Sequence, residues 1–290
     1  MHTVLLLVVA AALAIDLKQY QRLSHDTLLL GERKHPRNAT RKVSGYAFLH
    51  LDHASELARA QRLKATPVSK HLHFDRRSRS QIVAAGDRVS SAVGFGDCSM
   101  PIADGAVWKS SHGYFINARN SLQLSAVFIE RAIGRAFRRW SCVLHSPSIE
   151  RLVIGPLLSV RTDRDGNQMN SDAPDGANEI GLATIGDRPG TIALTVLWGV
   201  FSGPPNDREL TEFDMFFDQT HYRFGNSSTR SGVVDFEATA THEAGHVMGL
   251  DDIYDFECAD VTMFATSAID ETKKRTLESA DVDGVTDLYD

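Results

Sequence analysis

The sequence predicts an α+β domain with two helices against a sheet, preceded by a mostly helical segment. Three observations carry this. Short apolar or alternating runs, Tyr114 to Asn117, Glu179 to Ile185, Thr191 to Trp198 and Leu210 to Phe217, read as strands punctuated by Gly, Pro and Asn. Leu122 to Trp140 places Leu124, Val127, Phe128, Ala132 (or Ile133), Ala136 and Phe137 on one helical stripe, with arginines around the rest. Val234 to Gly249 reads as a second helix that carries His242, Glu243 and His246.

From the amino terminus, Met1 to Ala14 reads as a secretory signal: an apolar run from Val4 to Leu13 ends in an A-x-A-like site, Ala12-Leu13-Ala14. That run is too short to anchor a chain across a bilayer, and no longer apolar stretch follows. The expected organisation is therefore a signal at 1–14, a basic prosegment at 15–95 and a catalytic-type domain at 96–290, in an exported protein. Charge supports the division. Asp16 to Ser90 holds 15 Lys+Arg against 7 Asp+Glu, a net +8, whereas Ser91 to Asp290 holds 16 against 30, a net −14. Opposite charges would draw the two parts together, as an intramolecular inhibitor and its enzyme. A basic arm for nucleic acid is the competing reading, and export argues against it, so no nucleic-acid partner is expected.

Within the prosegment, Tyr20 to Leu30 and Ala54 to Leu63 are helix candidates, the second capped by Ser55 or Asp52. Arg76-Arg77-Ser78-Arg79 suits a trypsin-like activator or is a solvated loop. His50, His53, His71 and His73 have no partners at ligand spacing and read as surface histidines. Asp163, Asp165, Asn167, Asp172 and Asp175 offer oxygens for Ca2+, but Gly166 comes too early for an EF-hand, and a solvated turn is preferred. Glu212, Asp214 and Phe216 alternate with Phe213, Met215 and Phe217 as in a half-buried strand. Lys273, Lys274 and Arg275 read as a solvated face.

The chemistry concentrates in the second helix. His242 and His246, four apart, project from one helical face and supply half of a tetrahedral Zn2+ site. Glu243 is placed to act on water at that metal, and H-E-x-x-H on a helix is a metalloprotease signature. Gly249 can take positive φ and turn the chain back, so that Asp252 supplies the third ligand; Asp251 is the alternative if the turn differs by one residue.

The pattern H-E-x-x-H-x-x-G-x-x-D over His242 to Asp252, with Val261-Thr262-Met263-Phe264 downstream as a Met-turn, resembles the metzincin clan of zinc endopeptidases, matrixin-like (peptidase M10-type), in the variant with Asp as third ligand. The resemblance covers about Trp108 to Tyr289. It implies a twisted mixed sheet above the active-site helix, zinc on His242, His246 and Asp252, Glu243 as general base, protein or peptide substrates and latency imposed by the prosegment. It also implies that the edge strand lining the cleft lies near Leu210 to Phe217, with bound peptide antiparallel to it. Asp in place of a third His adds negative charge to the metal and raises the pKa of its water. Phe264 stands where some members carry an assisting Tyr. Cys98-x-x-Pro101 resembles the matrixin cysteine switch without its flanking residues; pairing of Cys98 with Cys142 or Cys258 is the alternative. No His-rich stretch marks a second zinc. The expected function is a secreted metalloendopeptidase made as a zymogen. Its rivals are a structural zinc closed by Asp255 or Cys258, and a zinc exopeptidase.

Overall fold

The computed structural model describes residues 14–15, 21–22, 27–36, 38–56, 98–102, 105–110, 112–144, 173–185 and 190–289. Residues 1–13 of the expected signal, the dibasic run at 76–79, His71, His73 and most of the Asp-rich loop lie outside them. The described strands are β1 (Ala14–Ile15), β2 (Gln21–Arg22), β3 (Thr27–His35), β4 (Asn38–Asp52), β5 (Phe115–Asn117), β6 (Glu179–Ile185), β7 (Thr191–Val200), β8 (Glu209–Asp218), β9 (Phe224–Gly225), β10 (Val234–Asp235) and β11 (Thr266–Ser267). The α-helices are α1 (Ala126–Val143), α2 (Phe236–Val247) and α3 (Ser279–Tyr289).

The main sheet runs β1-β6-β8-β7-β4-β3-β2, with β5 added to β6 and β11 to β4. β6 and β8 are parallel, while β7 is antiparallel to both β8 and β4, so the sheet is mixed. One face packs on α1 and α2 through Ile133, Phe137, Trp140, Phe213, Met215, Phe217, Phe236 and Ala240. The other face carries a second apolar cluster that includes Leu30, Leu49, Leu194, Val196, Trp198 and Phe216. Burial on both faces explains why these strands are nearly continuous in apolar residues.

The α+β class stands as read, and two details are corrected. Residues 27–52, expected within a mostly helical segment, form the hairpin β3–β4. Leu28-Leu29-Leu30 is a short apolar run, which periodicity cannot assign to helix or strand. Long-range pairing decides it: Leu28 faces Ala47 in β4, and Phe48 in turn faces Thr195 in β7. Gly45 allows this approach, because a Cβ there would lie 2.6 Å from the Trp198 ring. Residues 53–56 are helical at the start of the helix expected from Ala54, with Asp52 accepting hydrogen bonds from Ser55; the rest of that stretch lies outside the described residues.

The second correction concerns β8, expected as a half-buried edge. It is central, with β6 on one side and β7 on the other. Its polar face is buried too, and Glu212 and Asp214 are each 1% exposed. Glu212 accepts from the amides of Asp175 at 2.8 Å and Gly176 at 2.5 Å. α1 also starts later than expected, capped by Ser125, which accepts from the Phe128 amide. Ala132, Ile133, Ala136 and Phe137 of the expected stripe are buried and are joined by Ile129 and Trp140, whereas Val127 is 53% exposed.

Burial pushes the Glu212 carboxyl up to about 7, further than the two amides pull it down. Asp214 is pushed up as well, by burial and then by the charge of Glu212. A carboxyl with a raised folded pKa contributes stability fully below its unfolded pKa, and that contribution is lost as pH rises through the folded value. We expect urea unfolding of the chain to show stability falling from pH 5 to 8 by up to roughly 2–3 kcal/mol. Glu212→Gln should flatten that slope, and an unchanged slope in the variant contradicts the account.

Candidate metal centre

α2 is buried along its whole length although half its side chains are polar. Asp235 caps it, accepting from the Ala238 amide at 2.9 Å and pairing with Arg275. Burial alone would raise the Asp235 carboxyl, but the Arg275 hydrogen bonds and two backbone amides outweigh it and hold the group below the usual carboxylate range. Glu237 is held in the same way by Arg135 and Arg139 of α1. Trp140 donates its indole N–H to the Thr241 carbonyl at 2.8 Å, and Trp108 donates to Val247 at the helix end.

Against this frame the predicted residues come together. Gly249 takes φ +97°, as its place after the helix requires, and its amide closes the turn on the His246 carbonyl. The reversed chain brings Asp252 Oδ1 to 3.2 Å from His242 Nε2 and 3.7 Å from His246 Nε2. All three residues are fully buried, with donor atoms within 4.8 Å of one another. Asp251 is not in this group; its amide bonds Met100, and its carboxylate accepts from the Asp252 amide.

The outer nitrogens orient the rings. His242 Nδ1 bonds the Thr262 carbonyl at 2.8 Å, and His246 Nδ1 bonds the Leu250 carbonyl at 2.9 Å. Carbonyls only accept, so both Nδ1 atoms carry the proton and both Nε2 lone pairs face inward. Burial, and then the nearby Lys274, keep His242 well below the ordinary histidine range, in the neutral form a metal needs. His242 Nε2 is buried with no hydrogen-bond partner. Two neutral imidazoles and a carboxylate converging in this way suit Zn2+.

Glu243 lies beside this cluster, its Oε2 accepting from Thr195 Oγ1 at 2.5 Å and its buried Oε1 without a hydrogen-bond partner. Burial pushes its carboxyl well up, and the Thr195 hydrogen bond opposes that. Met263 packs beneath the helix in the expected tight turn, closed by the Phe264 amide on the Val261 carbonyl. Phe264 itself is buried.

Several contributors were missed. Asp281 of α3 accepts from the Thr262 and Met263 amides, fixing the turn that holds His242. Lys274, expected on a solvated face, is fully buried and donates to the Phe264 carbonyl, while Arg275 is taken up by Asp235. His50, expected at the surface, is also fully buried. Its ring meets that of His242 edge-on at 3.9 Å, and its Nδ1 lies 3.8 Å from Glu243 Oε1. No local spacing links these residues to the helix; only the period-two pattern of β4 puts Phe48 and His50 on one face.

The cysteine alternatives are resolved. Cys98 pairs with Cys258 across 160 residues, and Cys142 is free. Cys98 is thus no switch thiolate, and Cys258 is no fourth ligand. Asp255 is exposed and caps a short turn at Glu257. Of the Asp-rich loop, Asp175 is described, and its carboxylate accepts from the Ala177 amide.

Residues 203–290 match the matrixin family model (peptidase M10). The match takes in β8, α2, the Met263 turn and α3, and it supports a matrixin-like, zinc-dependent metallopeptidase, a family of endopeptidases that act on proteins. No curated protein matches the chain. Among the described residues, no helix is long and apolar enough to cross a membrane.

Gly245 sits under the two histidines, where a Cβ would come within 2.1 Å of Met263 Sδ and 2.7 Å of the Trp140 ring. We expect Gly245→Ala to lower Tm by several degrees, corresponding to about 1–3 kcal/mol of overpacking, and to weaken zinc binding. Calorimetry with metal analysis checks both; a fully stable, fully loaded variant contradicts this packing.

Proposed function

We propose that the chain is a secreted zinc endopeptidase made as a zymogen, with residues 15–95 as its prosegment and inhibitor. The observation that carries this reading is Glu243: buried, held by Thr195 at one oxygen, and beside the His242, His246 and Asp252 donors. A structural staple has no use for such a carboxylate.

Zinc, when bound, supplies a Lewis acid that polarises a peptide carbonyl and acidifies water. His242, His246 and Asp252 are the residues that hold it. Thr195 pins Glu243 Oε2, which leaves Oε1 to take a proton from water and return it to the leaving amine.

Two variants test the roles. Glu243→Gln should keep one zinc per chain and lose about 10²–10⁴-fold in casein cleavage after trypsin treatment and quenching. Wild type should lose the same activity to a chelator. A silent wild type with full zinc supports the structural rival instead. Asp252→Ala should weaken zinc binding by about a hundredfold or more, whereas Asp251→Ala stays near wild type, read by competition with a chromogenic chelator. The reverse order would reassign the third ligand.

A further inference from the structure

The reversal that carries Asp252 is held from outside by the chain at the start of the domain. The Ile102 amide donates to the Gly249 carbonyl at 2.7 Å, and the Asp251 amide donates to the Met100 carbonyl at 2.7 Å. Pro101 lies opposite Leu250 in the antiparallel bridge that these bonds make, and Ile102 and Leu250 are both buried. Leu250 is the residue whose carbonyl orients His246, and Asp252 follows it closely. On the far side, the Ile253 amide donates to the Met263 carbonyl at 2.8 Å, and the Ile253 carbonyl accepts from Ala265 at 2.9 Å. Asp252 therefore stands between two backbone pairings, one with 100–102 and one with 263–265.

The pairing with 100–102 joins segments far apart in the chain, and two hydrogen bonds hold so short a strand only marginally. The disulfide between Cys98 and Cys258, 160 residues apart, supplies what the bonds lack. Cys98 lies just ahead of Met100, and Cys258 lies shortly after Asp252, so the bridge tethers the two paired segments to each other. Tethering turns their docking into an encounter at high effective concentration. Ser99 fits the same arrangement, because a Cβ at Gly284 of α3 would lie 2.6 Å from the Ser99 Cβ.

From this geometry we infer that Cys98 and Cys258 are positioning residues for the metal centre: their disulfide docks residues 98–102 on the turn at 249–251 and so sets where the Asp252 carboxylate stands relative to His242 and His246. A bridge that only stabilised the fold would act mainly by constraining the unfolded chain. A bridge that positions a ligand acts on metal affinity within the folded chain, as outer partners of metal ligands do. Such a disulfide persists in oxidising compartments, in keeping with the export proposed above. The inference rests on the reading of His242, His246 and Asp252 as zinc ligands.

The test uses the full chain from residue 15 carrying Cys142→Ser, which removes the free thiol and keeps the bridge. It is compared with the same chain carrying Cys98→Ser and Cys258→Ser as well, each with and without Asp252→Ala. Zn2+ affinity is read by competition with a chromogenic chelator, and urea unfolding of the metal-free chains reports stability separately. Loss of the bridge should weaken zinc binding by about tenfold to a hundredfold in buffer where the metal-free chain is fully folded. Once Asp252 is Ala, loss of the bridge should change affinity by no more than about twofold, because the carboxylate it positions is gone. Equal affinity with and without the bridge, or an equal loss in both backgrounds, overturns the inference and leaves the disulfide a staple of the fold. Should the bridge-free chain fail to fold, Ile102→Pro decides. It keeps both cysteines, deletes the amide that bonds Gly249, and should weaken zinc binding only where Asp252 is present. No zinc binding by the reference chain would instead sink the metal-centre reading and take this inference with it.

Discussion

α2 imposes the main constraint on this molecule. It is buried on every side, yet it presents two histidines, two glutamates and two threonines to the interior. A polar group left unpaired there costs about 1–3 kcal/mol, so partners must come from elsewhere in the chain. α1 answers Glu237 with Arg135 and Arg139 and covers the Thr241 carbonyl with Trp140. β7 answers Glu243 with Thr195, and the turn before α3 answers His242 with the Thr262 carbonyl. The surrounding layers can be understood largely as the supply of these partners, with the Nε2 of His242 left facing the donors of His246 and Asp252.

The same demand fixes the geometry of the candidate metal centre. His242 is oriented by Thr262, and Thr262 is held in turn by Asp281. His246 is oriented by Leu250, in the segment that Gly249 folds back. The third donor therefore arrives on the same short reversal that fixes the second. Cys98–Cys258 ties this lower part to the start of the domain.

The strand β4 changes how the amino-terminal segment is understood. Opposite net charges suggested attraction between two separate bodies. The fold shows instead a shared sheet, in which β4 joins β7 by backbone hydrogen bonds and reaches His246 and His242 with Phe48 and His50. Ion pairing contributes locally, as in Arg41 with Glu209, but strand pairing does the positioning.

The legible part of the site was local. His242, Glu243, His246, Gly249 and Met263 follow from helical spacing, a glycine able to take positive φ and a methionine at turn distance, because all of these act through the chain's own near neighbours. The fold class followed as well, since apolar periodicity reports burial. Thr195, His50, Lys274 and Asp281 left no such trace: Thr195 is 48 residues from Glu243, and His50 is 217 from Ser267. A hydroxyl or an imidazole in a strand reads the same whether it faces water or a metal centre. The sequence by itself determined the local spacing of the candidate site residues, through short-range geometry; the tertiary structure decided which strand covers them, because pairing between distant segments depends on which edges remain open after the rest has folded.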